Sequence, residues 1–297
     1  MLIMTPASTV RRASLACLPL LLSLIAGMTA SLGHAEPNTP VQRGEYVANM
    51  AGCHSCHTGE SSPAMAGGVV LDTPFGSFYP PNITSDPTYG IGTWSQAQFN
   101  QSMRHGIDPD GNPYYPSFPY TSYTRMTDQD LIDLKAYLDQ LPAIAQATPD
   151  HDLGFPFNLR FGLHLWQWLN FTPTTFQPQA NQSVSWNRGA YIVTGPGHCG
   201  ECHTPRTLTM AVDTSSHLQG NKDGPDGTQV PGIDMSKLSE PWLLDDILFA
   251  LQVGMTPEGD FFGGNMAEVV ENTSLLTEDD QLAIATYLMN PNAKPQP

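Results

Sequence analysis

Apolar residues recur at helical spacing in short stretches, and the chain runs through these stretches twice in the same order. Leu131, Leu134, Tyr137 and Leu138 form one face behind Thr127-Asp128-Gln129-Asp130. Leu282, Ala285, Tyr287 and Leu288 form another behind Thr277-Glu278-Asp279-Asp280. In both, a threonine followed by first-turn acids predicts a helix start. Stretches opening at Trp94 and Trp242 end at Gly106 and Gly254, at the same separation, where a left-handed cap costs little. Arg43-Gly44-x-Tyr46 and Arg188-Gly189-x-Tyr191 each open a first helix. Downstream, Pro81-Asn82-Ile83 matches Pro231-Gly232-Ile233, and Asp108 to Gly111 matches Thr256 to Gly259. No alternating run is long enough to predict a sheet. The chain reads as all-α, with two tandem domains over 36–141 and 186–297 that arose by duplication.

Between them, residues 142–185 read as a linker marked by Pro142, Pro149, Pro156, Pro173 and Pro178. Inside it, Phe157, Phe161, Leu165 and Trp168 fall at helical spacing, and Trp166 and Leu169 widen the stripe. Such a stripe either packs between the two domains or forms a patch for a partner protein or a membrane surface. Large exposed apolar patches are uncommon, so the packed arrangement is the expectation.

Charge narrows the partners. The 297 residues carry 12 Lys+Arg against 28 Asp+Glu, a net charge of −16. That balance repels nucleic acid and anionic lipid, and nucleic acid is excluded as a partner. Residues 1–35 read as a cleaved signal peptide, with Arg11 and Arg12 before an apolar stretch and Gly33-His34-Ala35 before the cut. Cleavage removes Cys17 and leaves four cysteines.

All four sit in one repeated motif, Cys53-His54-Ser55-Cys56-His57 and Cys199-Gly200-Glu201-Cys202-His203. In an exported protein C-x-x-C-H is the attachment signature of c-type haem. Two thiols one helical turn apart can each form a thioether to a haem vinyl group. The adjoining histidine then reaches the iron. Two disulfides, or one four-cysteine zinc site, are the competing readings. Both leave the histidines unexplained, so two covalently attached haem c groups are expected.

His57 and His203 are then the proximal iron ligands. Methionine is the usual distal donor in electron carriers and raises the potential. Met266, in Gly263-Gly264-Asn265-Met266, is the expected ligand in the second half. Phe118 occupies that register in the first half and cannot ligate iron. Met126, just before Thr127, is expected to replace it. Met103, Met65, Met50 and His105 are the other candidates, and a five-coordinate iron remains an alternative. Arg104 and Arg206 are candidate propionate partners or plain surface residues.

These segments resemble a known family. RGEYVANMAGCHSCHTG, GGVVLDTPFGSFYPPNIT, YPSFPYTSYTRMTDQDLIDLKAYL, RGAYIVTGPGHCGECHTPR and GGNMAEVVENTSLLTEDDQLAIATYL are similar to the cytochrome c subunits of bacterial membrane-associated dehydrogenases acting on alcohols, gluconate, sorbitol or aldehydes. The resemblance implies cytochrome-c-type helical domains and a periplasmic location. It also implies electron transfer from a partner dehydrogenase towards quinone or a terminal oxidase. His57, His203 and Met266 carry over onto matching positions. Many members have three haem motifs, and this chain has two. The expectation is an electron-transfer protein or subunit rather than an enzyme by itself. The alternative is a dihaem enzyme, peroxidase-like or thiosulfate-oxidising, that uses an unusually ligated first haem.

Overall fold

The computed structural model describes residues 39–224 and 227–292. The expected signal peptide lies outside the described residues. Helices dominate, and those of the first half are α1 (Pro40–Met50), α2 (Cys53–His57), α3 (Gln96–His105), α4 (Tyr120–Tyr123) and α5 (Asp128–Leu138). Helix α6 (Gly162–Asn170) lies in the connecting segment. The second half supplies α7 (Val184–Thr194), α8 (Gly200–His203), α9 (Leu244–Val253), α10 (Asn265–Ser274) and α11 (Glu278–Met289).

The expected helix ends are present. Thr127 and Thr277 cap α5 and α11 by accepting from the amides of Asp130 and Asp280. Gly106 and Gly254 close α3 and α9 in the left-handed region, at φ 62° and 72°.

A small antiparallel sheet departs from the all-helical expectation. Strands β1 (Leu71–Thr73), β2 (Gly76–Phe78) and β3 (Asp152–Leu153) pair in the order β1-β2-β3. Each has three residues or fewer, too short for alternation to register in the sequence. Its third strand comes from the connecting segment, as does a clasp in which Asn82 Nδ2 donates to Ile144 O and Gln146 O.

Helix pairs α1–α5 and α7–α11 cross at a glycine. A Cβ on Gly44 would lie 1.9 Å from Asp133 O, and one on Gly189 would lie 1.9 Å from Ala283 O. No side chain fits at either crossing, which gives the repeated Arg-Gly-x-Tyr its glycine. Its arginine closes each pair, as Arg43 Nε donates to Asp133 Oδ2 at 2.7 Å and Arg188 Nε to Asp280 Oδ1 at 2.7 Å. Burial tends to raise the Asp133 carboxyl, but hydrogen bonds from Arg43 and Gln129 and the charge of Arg43 together outweigh it and hold the group below its ordinary value.

Each half has its own apolar core. Val47, Phe99, Met103, Met126, Leu131 and Leu134 centre the first, and Trp186, Ile192, Leu218, Ile247, Ile284 and Leu288 the second. Met50 and Tyr46 reach from α1 into the second core.

Helix α6 departs from the packed arrangement expected of it. None of its residues is buried, and Leu165, Trp168 and Leu169 are 59%, 79% and 59% exposed. Its apolar stripe points to solvent.

Candidate functional site

The two C-x-x-C-H motifs fold as single helical turns, α2 and Cys199 with α8. None of the four cysteines is in a disulfide. Burial pushes Cys53 and Cys199 up to about 12, which keeps them as neutral thiols.

Each histidine is held by a backbone carbonyl. His57 Nδ1–H donates to Pro81 O at 2.7 Å, and His203 Nδ1–H donates to Pro231 O at 2.8 Å. A carbonyl only accepts, so Nδ1 carries the proton and Nε2 keeps its lone pair. Burial lowers both imidazoles below their ordinary value, against the opposing pull of the proline carbonyls, and so favours the neutral ring. This is the tautomer and charge state a ligating histidine needs.

The turn beyond each histidine is built twice in the same way. Thr58 Oγ1 accepts from Met65 N, and Thr204 Oγ1 from Leu218 N, both at 3.0 Å. Met65 and Leu218 take left-handed φ values of 60° and 58° with no surface exposed. Their carbonyls receive the amides of Ile83 and Ile233, each two residues past the proline that holds the histidine. Met65 therefore has a leucine as its structural counterpart and acts as a packing residue.

The distal candidates differ. Met126 is fully buried in the first core, with Met103, Phe118 and Cys53 in the same cluster. Met266 lies in the first turn of α10, directly after Gly263-Gly264-Asn265, is half-buried, and is outside the second core cluster. Arg104 and Arg206, the candidate propionate partners, are in ion pairs with Asp128 and Glu201.

Interactions across the halves bring the two motifs together. Asn272 Nδ2 of α10 donates to Ser55 Oγ in the first motif at 3.0 Å. Thr121 Oγ1 and Ser122 Oγ of α4 donate to Glu201 Oε1 in the second, at 2.9 and 3.0 Å. Burial raises the Cys56 thiol, and the charges of Glu268 and Cys202 raise it further. The rings of Tyr123 and His198 meet edge to face at 5.5 Å, and both groups donate to Ala51 O. Motif spacing along the chain carries no hint of this seam, because its contacts between the halves join residues 75 to 217 positions apart.

The donor sets fit covalent haem. Each motif offers two thiols one turn apart, neither in a disulfide, and an imidazole whose Nε2 is unprotonated. Cys53, Cys56 and His57 would hold one group, and Cys199, Cys202 and His203 another.

Comparison with known proteins agrees. The cytochrome c family profile matches residues 41–142. A dihaem c-type cytochrome of Cereibacter sphaeroides is 43% identical over 89% of this chain and 87% of its own length. The cytochrome c subunit of a quinone-dependent alcohol dehydrogenase of Gluconacetobacter polyoxogenes is 37% identical over 90% of this chain. The cytochrome c subunit of a gluconate 2-dehydrogenase of Pantoea cypripedii is 37% identical over 92%. This chain spans 59% and 65% of the lengths of those last two. With a dihaem relative matched over nearly its whole length, the chain belongs to the family of c-type cytochromes that includes dihaem cytochrome c and the cytochrome c subunits of alcohol, gluconate and fructose dehydrogenases.

Proposed function

We propose that the chain is a periplasmic dihaem cytochrome c that relays single electrons from a partner dehydrogenase towards quinone or a terminal oxidase. The observation that carries this reading is the pair of matched histidine clasps set on adjoining motifs. Haem c, when bound, supplies an iron that cycles between Fe(II) and Fe(III). The chain's residues do the rest. The cysteines fix the position of the group, and the proline carbonyls fix the histidine tautomer. His57 and His203 are the proximal ligands, and Met126 and Met266 the distal ones. The buried shell of the first half, with Met126 at its centre, keeps water from that site and favours electron transfer over ligand chemistry. The names of relatives support a dehydrogenase as the electron donor.

The test is a haem-to-protein ratio and a redox titration of the purified chain. Two haems per chain, both low-spin with a methionine-to-Fe(III) absorption band, are expected. One haem per chain would refute the dihaem reading. A high-spin, peroxide-reactive first haem would favour the dihaem enzyme instead.

A further inference from the structure

The two attachment turns differ at one matched position. Gly52 and His198 each stand directly before the first cysteine of a motif, and each takes a left-handed backbone, at φ 60° and 38°. Glycine does so freely, and a histidine does so at a cost. The histidine side chain crosses the seam between the halves. Its Nε2–H donates to Ala51 O at 3.3 Å, 147 positions away. A carbonyl only accepts, so Nε2 carries the proton. This is the opposite tautomer to His57 and His203, whose protons sit on Nδ1. Burial lowers the ring below its ordinary value and keeps it neutral, against the pull of the Glu201 charge. The ring of Tyr123 packs edge-on against it at 5.5 Å.

Chain order gives this bond its meaning. Ala51 is two residues before Cys53, and His198 is next to Cys199. From the Cys53 sulfur the main chain runs through Gly52 to the Ala51 carbonyl. From the Cys199 sulfur it runs through the His198 backbone to the imidazole. One hydrogen bond joins the two paths, and every other link is covalent. Electronic coupling decays more slowly along bonds than across a gap. The other hydrogen bonds across the seam do not join the motifs in this way. Asn272 reaches Ser55 from α10, and Thr121 and Ser122 reach Glu201 from α4, so each ties a motif to an element that carries no attachment cysteine.

We propose, on the dihaem reading, that His198 is the bridge that couples the two haem sites. A single electron passes through Cys53, Gly52, Ala51, His198 and Cys199. The iron that gives it goes from Fe(II) to Fe(III), and the iron that takes it goes from Fe(III) to Fe(II). No proton moves, because the Nε2–H stays on its nitrogen.

Flash photoreduction of the haem-loaded chain by less than one electron per protein tests this, with redistribution between the haems followed by the absorbance of each. His198→Gly gives the second turn the residue of the first, which suits its left-handed backbone. This variant should lose the fast redistribution. His198→Gln places an amide N–H at the same reach and should retain it. Tyr46→Phe removes a different bond between the halves, to Asp280 Oδ2 at 2.7 Å, and should leave the rate unchanged. Melting curves and the potential of each haem separate a lost bridge from a loosened seam. In nitrogen NMR of the wild type, the His198 proton should sit on Nε2 and exchange slowly. Equal rates in wild type and His198→Gly, with two haems per chain, overturn the bridge and assign the transfer to a direct jump between the haems. An Nδ1 proton, a wild type without fast redistribution, or equal slowing by His198→Gly and Tyr46→Phe also overturns it. One haem per chain refutes the dihaem reading instead.

Discussion

The hydroxyl of Tyr46 donates to Asp280 Oδ2 at 2.7 Å, across the boundary between the two halves. It also accepts from the Thr277 amide at 3.1 Å, so a side chain of α1 caps the helix that closes the other half. Tyr191 returns the interaction, donating to Asp130 and accepting from the Thr127 amide at 3.2 Å. The tyrosine of the repeated Arg-Gly-x-Tyr is thus a reciprocal fastener. Tyr46→Phe and Tyr191→Phe should each lower unfolding free energy by about 1–2 kcal/mol. Arg188 links the two sites, bonding Asp280 and lying over the Tyr191 ring at 5.5 Å, so the double variant should be weaker than either single one but depart from their sum. Urea unfolding of the haem-loaded chain measures both, and a double variant no weaker than either single one would refute the reciprocal arrangement.

The glycines of the same motif allow a different test. Gly44→Ala and Gly189→Ala place a methyl on a backbone carbonyl that cannot move away without parting the helices. Each should cost about 3 kcal/mol or more and lower the yield of haem-loaded protein. Gly162→Ala, at the start of α6 with nothing near its added Cβ, is the control and should be neutral or slightly stabilising. Equal melting temperatures for all three would show that the crossings are looser than the geometry states.

Much of this was legible in the sequence where the signal is local. Threonine caps, glycine stops and C-x-x-C-H are each contained within a few residues. The roles of Gly44 and Tyr46 are not local, since their partners lie 89 and 234 positions away. The match of Pro81 with Pro231 was visible, but its purpose is carried by a carbonyl that every residue has. Helix α6 shows a further limit. Periodicity establishes that a helix has an apolar face, and only tertiary contacts decide which way that face turns.

The methionines separate ligands from packing. Met126→Ala should lower the potential of one haem by on the order of 0.1 V, within the ~0.8 V that axial ligands span. Met266→Ala should do the same to the other, and both should keep covalent attachment. Met65→Leu should change neither potential, because Leu218 fills the same turn in the second half. A redox titration that moves with Met65 but not with Met126 would reverse the assignment.

Asp133 predicts a pH dependence. Its folded-state value lies below the ordinary carboxylate range because, against burial, the hydrogen bonds from Arg43 and Gln129 and the Arg43 charge prevail together. A depressed carboxylate contributes stability that is fully present above the unfolded value of ~3.9 and is lost as pH falls through the folded value. Asp133→Asn removes that contribution. The stability gap between wild type and variant should be constant near neutral pH and close below about pH 4. A gap that widens on acidification would have the wrong sign.

Glu201 is the charge best placed to set both potentials. It lies inside the second motif, 12% exposed, with Arg206 Nη2 2.8 Å from Oε2. Its other oxygen binds Thr121 and Ser122 of the first half. The same carboxylate acts on Tyr123, whose hydroxyl also responds to Cys53 and Cys56, so it lies on the seam between the motifs. A fixed negative charge there favours the oxidised state of any iron nearby. Glu201→Gln keeps the shape, removes the charge and leaves the cation of Arg206 less compensated. Both changes act in the same direction. The potentials should rise by about tens of millivolts, where about 59 mV is a tenfold change for one electron. The larger rise belongs to the haem on the second motif, and the smaller to the haem on the first. Because the pair is partly buried, added salt should reduce the shift less than it would for an exposed pair. A rise confined to one haem would separate the motifs electrostatically, and a fall in either potential would contradict the placement of Glu201 between them.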